Sequence, residues 1–93
     1  MNKYTFTVTK TFSCYGYQAE RHYEVKCKYF TAKLKYLGNH GFDAPQIIRT
    51  DTSSTYYDAM NSFMKSFYKG SISDWFSNYK DNETRTFELE RYF

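Results

Sequence analysis

Polar and apolar residues alternate from the first positions of the chain. Over residues 3–12, Tyr4, Phe6, Val8 and Phe12 fall on one phase and Thr5, Thr7, Thr9 and Thr11 on the other. Period two in β-branched and aromatic residues predicts a half-buried strand, with Lys10 as the one polar residue on the apolar phase, expected near the rim. Residues 19–30 alternate again. Tyr23, Val25, Cys27 and Tyr29 share the inward phase with Arg21, which is expected near the turn, while His22, Glu24, Lys26 and Lys28 face out. Ser13–Gln18, with Gly16 free to take positive φ, connects the two as a hairpin. The first strand points even positions inward and the second odd ones, so paired residue numbers must sum to an odd value. A sum of 31 pairs Phe6 with Val25 and leaves Tyr15-Gly16 as a tight turn; a sum of 33 pairs Phe6 with Cys27 and leaves a longer loop. Neither register sets Cys14 opposite Cys27, which predicts free thiols.

Beyond Phe30 the phase breaks. Phe30, Leu34 and Leu37 recur at helical spacing before Gly38, which predicts a short helix over 31–37, with a bulged strand as the competing reading. Gly38-Asn39-His40-Gly41 reads as a loop and Gln46–Thr50 as a short strand after Pro45. Thr55 is placed to cap a helix running to about Lys69, with Asp58 near its positive end. Tyr56, Met60, Phe63, Met64 and Phe67 form its apolar stripe; Asp58, Asn61, Ser62, Lys65 and Lys69 lie opposite, and Gly70 ends it. A second helix is expected from Ser71 or Ser73, because Ile72, Trp75, Phe76 and Tyr79 recur at helical spacing. Asp81-Asn82-Glu83 turns the chain into a last strand over 84–93, with Phe87, Leu89 and Phe93 inward and Thr86, Glu88, Glu90 and Tyr92 outward. The sum of these elements is a single α+β domain over 1–93. It has a small antiparallel or mixed sheet (N-terminal hairpin, short middle strand, C-terminal strand) with two helices packed on one face.

Composition changes this picture in one respect. Of the 93 residues, 11 are Tyr, 9 Phe and 1 Trp; a single small core has room for most of these rings, while Tyr in surplus often marks contact surfaces. Tyr15 and Tyr17 at the hairpin tip, Tyr36 off the apolar phase, and His40 and Phe42 in the Gly-flanked loop are the candidate protein-binding residues. The net charge of +3 is unevenly spread: residues 1–50 carry eight basic and three acidic residues, residues 51–93 five and seven. Basic and aromatic residues interleave over 21–36, where Lys26, Lys28, Lys33, Lys35 and Tyr36 form the alternative candidate, an RNA-contacting surface.

Catalytic and metal constellations fail on ligand supply and spacing. Cys14, Cys27, His22 and His40 do not have the spacing of a compact zinc motif; Lys26 and Lys28 beside Cys27 point to the opposite face, and Cys14 lies near a turn. Glu88 and Glu90 share a strand face that solvation explains, and the four glycines form no phosphate loop. The expectation is a binding protein, neither an enzyme nor a cofactor carrier. No leader pattern and no apolar stretch of membrane-spanning length stands out, so the expected setting is a reducing cytoplasm. An unpaired edge strand would support a homodimer.

The whole-chain texture, with a strand at once, abundant Tyr, Phe, Lys and Asn, and one Pro, resembles small accessory proteins of tailed bacteriophages, among them anti-CRISPR proteins and inhibitors of toxin–antitoxin systems. That resemblance lies in composition and carries over no functional residue. It implies a non-catalytic inhibitor acting by stoichiometric docking on a host protein or ribonucleoprotein complex in the bacterial cytoplasm.

Overall fold

The structure is a computed structural model that describes residues 3–14 and 19–91, the side chain of Asn39 excepted. Among the described residues five strands, β1 (Lys3–Cys14), β2 (Glu20–Lys26), β3 (Phe30–Tyr36), β4 (Gln46–Arg49) and β5 (Thr84–Glu90), form one antiparallel sheet in the order β4-β3-β2-β1-β5. One helix, α1 (Thr55–Lys69), and a 3-10 turn at Ser73–Phe76 cover one face, and a second 3-10 turn spans Gly38–His40. The α+β class and the antiparallel sheet agree with expectation; the second helix is replaced by the four-residue turn.

The expected helix over 31–37 is instead β3. Phe30, Ala32 and Leu34 are all buried, so the inward period is two, and Leu37 lies past the strand. Pairing with both β2 and β4 satisfies the β3 backbone on two sides, which an isolated turn of helix so short could not match. β1 and β2 take the register with the longer loop, from Thr7 opposite Lys26 to Lys10 opposite Tyr23. A bulge between Lys10 and Phe12 then shifts the pairing, so that Phe12 faces His22 on the outer side of the sheet. Phe12, expected inward, is therefore 53% exposed. Cys14 lies opposite Glu20, and both cysteines are free.

The core lies between the sheet and α1. Phe6, Val8, Tyr23, Val25, Phe30, Ala32 and Leu34 meet Ala59 and Phe63 of the helix and Ile72, Trp75, Phe76 and Tyr79 of the segment after it. Phe6 sits at the centre, with its ring centroid 5.4 Å from Trp75, 5.9 Å from Phe63 and 6.0 Å from Phe30. Seven aromatic residues are buried here and seven more (Tyr4, Tyr29, Tyr36, Phe42, Tyr56, Phe67 and Phe87) pack against them, so the aromatic surplus is mostly core. The helix presses on the sheet with small residues as well as rings: Ser62, expected on the solvent side, is 1% exposed beside Ala59 and Phe63. Its start is also one step different from expectation. Ser54 is the cap residue, with no side-chain bond of its own, Thr55 is the first helical residue, and Ser53 Oγ, one residue before the cap, accepts the Thr55 N–H at 3.2 Å. Gly70 closes the helix in the left-handed conformation at φ 76°, its N–H donating to Phe67 O while Ser71 N–H donates to Ser66 O. That pair of bonds is the Schellman arrangement.

Candidate functional site

Among the described residues, all cover lies on one side of the sheet. The other face presents Thr5, Thr7 and Thr9 of β1, Thr84 and Thr86 of β5 and Thr31 of β3, a broad field of small β-branched hydroxyls. The Thr9 and Thr84 hydroxyls are 2.7 Å apart across the β1–β5 boundary. At the β2–β3 side the face turns basic. Because β3 is a strand, Lys33 and Lys35 share the face with Lys26, opposite Glu24 and His22 respectively. Lys28 stands apart in the β2–β3 turn, its Nζ 5.9 Å from the Tyr29 ring centroid.

Two of these lysines are held by neighbouring carboxylates: Lys26 by Glu24 at 3.0 Å and Lys35 by Glu20 at 3.4 Å. The same Glu20 accepts from His22 Nε2 at 2.8 Å, and these contacts, His22 first and Lys35 after it, hold its carboxyl below the ordinary range. Phe12 stands edge-on to His22 at 5.1 Å, and Ile48 is exposed on β4 opposite Thr31, so one apolar side chain lies at each flank of the basic patch. Phe12 was hidden from sequence reasoning by the bulge, and Ile48 by the missing partner strand.

The candidate protein-binding residues divide differently. Tyr15 and Tyr17 lie outside the described residues, as does Tyr92. Tyr36 and Phe42 come together at 5.1 Å, bridged by their backbones, with exposed His40 in the 3-10 turn between them. Phe42 also meets Phe76 at 4.9 Å and Phe67 at 5.6 Å, so it ties the loop to the core. Tyr36, Phe42, Tyr23 and Phe76 line a cleft of about 260 Å³ with Arg21 at one wall. Two further tyrosines, Tyr57 and Tyr68, are exposed on α1.

Among the described residues no three of His, Cys, Asp and Glu come close enough to hold a metal, and no helix is long and apolar enough to cross a membrane. No family model matches the chain, and neither a curated protein nor a solved structure matches it.

Proposed function

We propose that the chain is a non-catalytic binding protein that docks through the uncovered face of its sheet onto a partner protein presenting an acidic surface. The observation that carries this reading is the face itself: five strands wide, covered by none of the described residues, with Lys26, Lys33 and Lys35 gathered at one end between exposed Phe12 and Ile48. A field of threonines gives adaptable hydroxyls at little side-chain entropy cost, and apolar anchors beside steering charge are what a protein interface requires. The charge bias of residues 1–50 adds long-range attraction for an acidic partner. The compositional resemblance to phage accessory proteins supplies the class of target: a host defence or toxin complex, inhibited by occupancy.

RNA is the less favoured occupant. Three lysines against Glu20 and Glu24 leave the patch only weakly positive, and Phe12 is the one aromatic residue exposed on this face among the described residues. A polyanion needs a denser run of cations and stacking rings.

The test is capture from a bacterial lysate with tagged wild-type protein and with the Lys33→Glu/Lys35→Glu double variant, each with and without ribonuclease. A protein retained through ribonuclease by the wild type and lost by the double variant supports the reading. Retention that ribonuclease abolishes replaces it with RNA binding, and retention by both proteins moves the docking site off this face.

A further inference from the structure

Lys10 lies on the inward phase of β1 with 5% exposure. Its Nζ donates to Tyr79 O at 3.3 Å and lies 3.4 Å from Asp81 Oδ1, a carboxylate whose side chain is 72% exposed and which also accepts from Ser13 Oγ. Beside it, Arg21 Nε and Tyr79 Oη are buried without a hydrogen-bond partner, and the Tyr79 residue as a whole is only 8% exposed. Lys10, Arg21, Tyr23, Asn78 and Tyr79 together line a cavity of about 130 Å³.

Buried polar groups are nearly always paired, so two orphans on one small cavity ask for a missing acceptor. The donor inventory says which kind. An ammonium and a guanidinium only donate, and burial pushes the Tyr79 hydroxyl up to about 12, which keeps its proton available to donate. The Tyr23 hydroxyl is spent on Phe76 O at 2.8 Å. Outside the cavity, Arg85 lies 4.1 Å over the Tyr79 ring and donates to Ser77 O and Asn78 O, fixing the segment that carries Tyr79. An ammonium and a guanidinium on the walls of one cavity, with a tyrosine residue beside them, match an oxyanion, and Asp81, 3.4 Å from Lys10 Nζ, is the carboxylate now nearest that role. We propose that this cavity binds a phosphate group through Lys10, Arg21 and Tyr79, the exposed Asp81 carboxylate giving way to it.

The phosphate has two sources, the free ion or the terminal phosphate of a nucleotide. The aromatic cleft of Tyr23, Tyr36, Phe42 and Phe76 adjoins the cavity and shares Arg21 with it, which puts a stacking surface for a base beside the anion. This site is independent of the docking face, since its residues line the covered side of the sheet.

The experiment is thermal unfolding followed by Trp75 fluorescence, at constant ionic strength, with inorganic phosphate, adenosine monophosphate, adenosine or chloride added. A ligand that binds only the folded chain raises the midpoint with concentration. Phosphate and the monophosphate are expected to raise it above the chloride value and adenosine to leave it there. Lys10→Met and Arg21→Gln are each expected to weaken the apparent affinity at least about tenfold, as loss of a charge-assisted bond does, and Tyr79→Phe to weaken it less. A larger shift with the monophosphate assigns the nucleotide source; an equal one assigns the free ion. If either charge variant fails to fold, Tyr79→Phe and the remaining variant carry the test. No shift beyond chloride with either phosphate compound overturns the proposal and leaves the cavity to water. A shift that all folded variants retain, or one that adenosine matches, overturns it too.

Discussion

Replacing Gly70 tests how the chain turns from α1 back across the sheet. Gly70 sits at φ 76°, ψ 8°, and a Cβ built there meets nothing within 4 Å. The cost of Gly70→Ala is thus conformational and not steric. An L-residue pays about 1–2 kcal/mol in the left-handed region. Alanine also restricts the unfolded chain, which returns about 0.4–1 kcal/mol. The net expectation is a loss of about 1 kcal/mol, and Gly70→Asn loses less because asparagine tolerates this conformation. In a domain of this size that corresponds to a midpoint drop of about 4–8 °C for alanine. Thermal and urea unfolding read by the buried Trp75 measure it, with an unchanged urea slope showing that the surface exposed on unfolding is unaltered. The sign decides the matter. If α1 simply continued through residue 70, alanine would stabilise by roughly its helix-propensity advantage of about 1 kcal/mol. A gain in stability, or equal losses for alanine and asparagine, would refute the left-handed cap.

Other expectations concern ionisation and thiol chemistry. Asp58 accepts from the Tyr4 hydroxyl and from Arg91 Nε at 2.6 Å, and these bonds, Tyr4 first, hold its carboxyl below the ordinary range. A depressed carboxyl stabilises the fold above its unfolded value of about 3.9 and loses that contribution as pH falls through the folded value. Urea unfolding at pH 7, 4 and 3 should therefore show a decline below about pH 4 that is shallower in Asp58→Asn; identical pH profiles would remove Asp58 from the account. Cys14 is exposed, whereas burial raises the Cys27 thiol, which also accepts from Tyr29 N–H at 3.4 Å. A thiol reagent at pH 8 should modify Cys14 first and Cys27 on the order of tenfold more slowly, followed by mass spectrometry; equal rates would contradict the packing of Cys27.

What the sequence disclosed depended on whether the deciding contact was local. β1 and β2 could be read because period two is a property of each segment alone, and the parity of their register followed from it. α1 could be read for the same reason, down to its stop at Gly70. The 31–37 segment could not, because Phe30, Leu34 and Leu37 fit a helix while Phe30, Ala32 and Leu34 fit a strand. The decision came from β2 and β4, distant partners that offered hydrogen bonds on both sides. That one change also moved Lys33 and Lys35 onto the face that Lys26 already occupied, so the basic patch was legible as residues but not as a surface. The segment after Gly70 carried a helical spacing, yet Asn78 at φ 61° diverts it so that Tyr79 returns to Lys10. Lys10 was expected at the rim on its phase; its burial beside Tyr79 and Arg21 follows from that return, which no local pattern announces. The Phe12 bulge gave no signal in the alternation.

The central claim, that a partner protein sits on the bare sheet face, is tested most directly by measuring the affinity of the purified partner for two single variants. Thr7→Arg places a long charged side chain in the middle of the threonine field, and Tyr68→Arg places the same side chain on the solvent side of α1. The account predicts that Thr7→Arg weakens binding at least about thirtyfold, the loss expected when the centre of an interface is blocked, while Tyr68→Arg binds as the wild type does. Loss of binding with Tyr68→Arg and none with Thr7→Arg would contradict it and place the interface on the helical side.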